Sequence, residues 1–74
     1  MMSNLPLTRT QLRALRMAYA RLQQTGHAFI CPIIGVHDAA ETAVLNALRR
    51  RGLATTDPSP VATDEGLRVA VRLD

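Results

Sequence analysis

A hydroxyl, an amide and two guanidinium groups fall on one side of a single stretch of this chain, at Thr42, Asn46, Arg49 and Arg50, if residues 39–50 are helical. Such groups reach base edges and phosphates in a DNA major groove, the amide pairing with adenine and the guanidinium with guanine or a phosphate. Arg51 follows directly, and Arg9, Arg13 and Arg16 make a second basic row at near-helical spacing. That row suits a nucleic-acid backbone or an acidic protein surface, although a charged helix face is more often simply solvated. Other chemistry has less to stand on. His27, Cys31, His37 and Asp38 include zinc-ligand types, but their spacing matches no standard ligand pattern. No Ser/His/Asp or Cys/His set assembles and no glycine-rich phosphate loop is present. A chain of 74 residues also leaves little room for a pocket. No enzyme, metal or cofactor is expected.

The elements that must position these residues can be read from their caps. Asp38 stands where an N-cap belongs and Glu41 three residues on, so a capping box starts the long helix at about Ala39. Arg49, Arg50 and Arg51 then place cations at the negative end of the helix dipole, and Gly52 supplies a left-handed stop. Leu53 is placed to fold back on Leu48, the apolar contact of a Schellman-type ending. Val44, Leu45 and Leu48, with Ala40 and Ala47, form the buried stripe, which leaves Thr42, Asn46, Arg49 and Arg50 outward. His37 flanks the cap.

Gly35-Val36 as a turn, a helix, and Leu45, Leu48, Gly52 and Leu53 as its ending together resemble winged helix-turn-helix domains of small bacterial and phage transcription regulators, including the MarR-like ones. The chain departs from that pattern at Glu41, where the family has a core-facing Val or Ile, and at Pro32, which leaves one turn of helix before the turn. The resemblance implies a recognition helix over residues 39–51 and a wing after it. It bears on fold more than on function.

Composition sets the outer bounds. One domain over residues 8–74, preceded by a loosely ordered segment over 1–7, is near the lower size limit for a core without disulfides or metal. The hydrophobic share of 47% suffices for that core, and with only Tyr19 and Phe29 aromatic a base-stacking platform for single strands is not expected. The net charge is +3 and every basic residue is Arg, which favours a polyanionic partner without naming it. One cysteine, Cys31, forms no internal disulfide, and no charged segment with an apolar run precedes the first helix, so a cytoplasmic protein is expected. The longest apolar run, 28–36, is short of the roughly 18 residues a membrane span needs.

Thr8 with Gln11 makes a second capping box, Leu7 and Leu12 a hydrophobic staple, and Gly26 a stop, so the first helix is expected from about Arg9 to Gln24. Its buried stripe is Leu12, Leu15, Tyr19 and Leu22, about a quarter-turn from the arginine row. His27–Cys31 suits a short strand, followed by a one-turn helix at Pro32 with Ile33 and Ile34 pointing inward; a continuous strand over 28–36 is the competing reading. Leu67–Asp74 alternates apolar and mostly polar residues, the pattern of a strand. Its hairpin partner would be Leu53–Thr56 or Val61–Thr63, with Asp64-Glu65-Gly66 as the turn. A helix opening at residues 62–66, as after the wing in MarR-like proteins, is the alternative. The expected fold is thus a small α+β winged helix: two main helices, a short helical turn and a two- to three-stranded antiparallel sheet.

Two functions are compatible with this reading. The first is a transcription regulator on double-stranded DNA, with Thr42, Asn46, Arg49 and Arg50 in the groove and Arg9, Arg13, Arg16 or Arg51 on the backbone, binding weakly alone or more tightly as a homodimer. Residues 57–66 hold Asp57, Asp64 and Glu65 and no basic residue, so a wing built from them would repel phosphates. That favours the second, a protein-binding regulator whose arginines meet the acidic surface of a large complex such as RNA polymerase or a nuclease.

Overall fold

The computed structural model describes residues 7–72. Three helices, α1 (Arg9–Thr25), α2 (Asp38–Arg50) and α3 (Asp64–Arg72), are joined by two irregular segments. α1 starts where its cap predicts. The Gln11 amide donates to Thr8 Oγ1 at 3.1 Å and the Thr8 amide to Gln11 Oε1 at 3.0 Å, so two orphan donors are satisfied reciprocally. Gly26, at φ 82, ends it one residue later than expected.

α2 starts differently from the expectation. His37 is the N-cap, without a side-chain cap bond, and Asp38 is already helical. Asp38 and Glu41 sit in the first turn, where carboxylates meet the positive end of the dipole. The expected reciprocal box is not made, because the Glu41 carboxylate is directed to the amide of Ile33 at 2.7 Å. The other end of α2 follows the expectation. The Leu53 amide donates to the Leu48 carbonyl at 2.9 Å and Gly52, at φ 73, donates to Arg49 at 3.0 Å, the paired bonds of a Schellman stop. Leu48 and Leu53 are both buried against the same core.

The expected sheet is not formed among the described residues. Segment 53–63 folds back on itself at an isolated antiparallel bridge, Ala54 with Ala62, and meets segment 27–36 at another, Phe29 with Val61. The Ile30 amide donates to Pro60 at 3.1 Å, Ala62 to Ala28 at 3.0 Å and Thr55 to Val61 at 2.9 Å. The ladder goes no further because Pro32, Pro58 and Pro60 have no amide proton to donate. The α+β winged helix is therefore corrected to three helices with no sheet among the described residues. The one-turn helix expected at Pro32 is not formed either, and the irregular connections give the core Ala28, Ile30, Ile33, Leu53, Ala54 and Ala62. Ile33 is buried as expected, whereas Ile34 is 67% exposed.

Residues 67–72 belong to α3 and not to a strand; Leu73 and Asp74, the end of the expected strand, lie outside the described residues, as do residues 1–6 of the expected loose N-terminus. Leu7 packs against the core. Thr63 opens α3: its hydroxyl accepts the Gly66 amide at 3.2 Å and donates to the Gly52 carbonyl at 2.7 Å, which ties the new helix to the stop of α2. At about 100° per residue, Gly66 and Ala70 share the centre of the buried side, with Leu67 and Val69 on its two flanks. The apolar alternation thus straddles a seam of small residues. That seam lets α3 lie close on α1, whose Ala14, Leu15 and Ala18 are wholly buried. α1 meets α3 more extensively than it meets α2.

Candidate nucleic-acid interface

α2 is the helix with the least of itself buried. Of its 13 residues only Leu48 is fully enclosed, while Val44 and Leu45 pack partly against the core. The inward side also includes Glu41, half-buried and bonded to the Ile33 amide. The outward side carries Thr42, Asn46 and Arg50, all exposed, within an arc of about 100°. Ala39 and Ala43 are exposed in the same arc. Methyl groups there let a flat or concave partner approach the helix backbone closely, with the hydroxyl, amide and guanidinium projecting beyond them.

The remaining arginines divide by what they touch. Arg49 is half-buried, and its Nε donates to the Thr55 carbonyl at 2.8 Å and its Nη2 to the Asp57 carbonyl at 3.1 Å. It braces the 55–60 loop against the end of α2. Arg13 Nη2 donates to the carbonyl of Ile34, which fixes the turn whose Gly35 has φ 84. Arg51 is half-buried; Arg9 and Arg16 are exposed on α1 on either side of Arg13. The structure therefore brings Thr42, Asn46 and Arg50 together, and sets Arg49 and Arg13 to holding backbone.

Two residues carry more than their sequence context suggested. Arg21 Nη1 donates to the carbonyls of Phe29 at 3.0 Å and Ile30 at 2.9 Å, and Nη2 to that of Pro32 at 2.6 Å. Glu41 holds the same segment from the other side through Ile33. The Cys31–Pro32 peptide between these two grips is cis. Nothing in the spacing of Arg21 or Glu41 announces these bonds, because each partner is a backbone group that only the folded chain brings near. Cys31 lies in the same place. Burial pushes its thiol above the ordinary cysteine value, the Glu41 carboxylate and its hydrogen bond push it further, and Arg21 and Arg49 oppose this.

His27 stacks at a tilt on Phe29, with ring centroids 5.4 Å apart. Among the described residues no three His, Cys, Asp or Glu side chains come together as a metal site. No described helix is long and apolar enough to cross a membrane. Asp64 and Glu65, expected at a wing tip, stand in the first turn of α3, where Glu65 pairs with Arg68 at 2.8 Å. Comparison with protein-family models, curated proteins and solved structures finds no match for this chain.

Proposed function

We propose that this chain binds double-stranded DNA in the cytoplasm as a transcription regulator, laying the outer side of α2 into the major groove. The observation that carries the reading is the outward arc of Thr42, Asn46 and Arg50 over exposed alanines, which combines base-reading groups with room for close approach. Asn46 reads an adenine edge, Arg50 a guanine or a phosphate, and Arg9 and Arg16 the backbone. Two further points support it. The likeness of Gly35-Val36, Leu45, Leu48, Gly52 and Leu53 to the recognition segment of helix-turn-helix regulators falls on the turn before this helix, on the helix and on its stop. The acidic residues that would have opposed DNA from a wing are reduced to Asp57, since Asp64 and Glu65 begin α3. Selection of duplexes from a random oligonucleotide pool tests it: an enriched consensus is expected, and recovery of none overturns the reading.

A second reading is docking on the acidic surface of a large protein complex such as RNA polymerase. Arg49 favours it, because its bond to the Asp57 carbonyl holds an acidic residue beside the C-terminal end of α2, where a uniformly charged phosphate backbone would be repelled but a protein surface can set a basic residue among its acidic ones. A pull-down with and without nuclease separates the two. A partner that survives nuclease supports docking.

A further inference from the structure

α3 has a second side that the core does not use. Away from Gly66 and Ala70, the side chains of Arg68, Val71 and Arg72, with the uncovered edge of Leu67, line a shallow open groove with an apolar floor, and Val71 is 48% exposed. Charge is graded along this face. Asp64 and Glu65 occupy the first turn, Arg68 is paired back to Glu65 at 2.8 Å, and Arg72 stands in the last turn.

We propose that this face pairs with α3 of a second copy of the chain, antiparallel, to form a weak homodimer. With the two helices reversed, Leu67 of each copy comes level with Val71 of the other, so each partly covered apolar side chain gains an apolar neighbour. Arg72 then lies level with the acidic first turn of the opposite helix at both ends. A parallel pair sets Asp64 and Glu65 against the same carboxylates and Arg72 against Arg72. Opposed helix dipoles favour the antiparallel arrangement as well. The ends of the charge gradient thus match in reverse, which is what a two-fold contact requires, while the two Arg68 side chains beside the axis are each held by their own Glu65. Nine residues make a helix roughly 13 Å long. Its face is smaller than the roughly 800 Å² per partner of a stable complex, so the dimer is weak and dissociates readily.

Sedimentation equilibrium of the whole chain, from micromolar to millimolar and without nucleic acid, tests this. The expected result is a mass that rises from monomer toward dimer with concentration. Val71→Glu and Arg72→Glu are each expected to stay monomeric while keeping the wild-type helical circular dichroism. Glu65→Arg is expected to stay monomeric too, and an equimolar mixture with Arg72→Glu to regain association, because acid then faces base at both ends. A wild type that stays monomeric at millimolar concentration overturns the proposal and leaves the face to a different partner. Variants that associate as the wild type does, or a mixture that fails to recover, overturn it equally. No arm involves DNA, so failure here is separate from failure of the DNA-binding reading.

Discussion

A methyl group placed on Gly66 would lie 2.4 Å from the carbonyl oxygen of Leu53. Backbone therefore touches backbone where α3 crosses the stop of α2, and the atom in the way is not a flexible side-chain tip. Gly66→Ala is expected to destabilise the domain by about 1 to 3 kcal/mol through this overpacking, despite the better helix propensity of alanine. Thermal unfolding checks it. A melting temperature at or above the wild type contradicts the close crossing.

Arg49 and Arg50 are adjacent and chemically identical, and their substitution by Gln is expected to separate them. Arg50→Gln should leave stability within about 0.5 kcal/mol and, if it removes one phosphate contact, flatten the log–log salt dependence of DNA binding by about 0.9. Arg49→Gln should instead lower the melting temperature, because it releases the Thr55 and Asp57 carbonyls, at roughly 1 to 3 kcal/mol. Salt titrations and melts on both variants decide the matter; a salt slope that falls for Arg49→Gln with stability unchanged reverses the assignment.

Asn46→Ala should relax preference at one base step by roughly 1 to 3 kcal/mol, since a methyl cannot reproduce two hydrogen bonds to an adenine edge. Affinity for random duplex should hardly change. Equal losses on the selected and random sequences would remove Asn46 from base reading.

The Cys31 thiol, raised by burial and by Glu41, should react slowly with iodoacetamide at neutral pH, its rate rising only above the pH at which an exposed cysteine ionises. The sign follows from the neutral form being favoured: the folded protein holds less thiolate than an unfolded chain at the same pH. Glu41→Gln removes one of the raising causes and should speed alkylation. A rate–pH profile matching that of a short cysteine peptide would deny the effect.

What could be read in advance was settled within a few residues of itself. Thr8 with Gln11, Gly26, and the Leu48, Gly52 and Leu53 stop are local exchanges of donors and acceptors, and all of them form as their spacing predicts. The outward placement of Thr42, Asn46 and Arg50 follows from helical geometry alone. The alternation of Leu67, Val69 and Val71 misled because a helix with a narrow small-residue seam leaves a period-two trace when apolar residues, here Leu67 and Val69, flank that seam on both sides.

Sequence by itself determined where α1 begins, where α2 stops and that Thr42, Asn46 and Arg50 meet solvent, because caps and periodicity act over a turn or two of chain; Arg49, expected beside them, is half-buried, and Ala40, expected inward, is exposed. Tertiary structure decided the rest. Residues 64–72 are helical because Thr63 finds the Gly52 carbonyl and Gly66 lies against Leu53, contacts that span 11 and 13 residues. Glu41 leaves its expected cap for the Ile33 amide, and Arg13, Arg21 and Arg49 turn to carbonyls in irregular segments that have no ladder partners of their own. A charged side chain with several donors goes to whichever backbone acceptor folding leaves unpaired nearby, and that acceptor is fixed by packing, not by spacing.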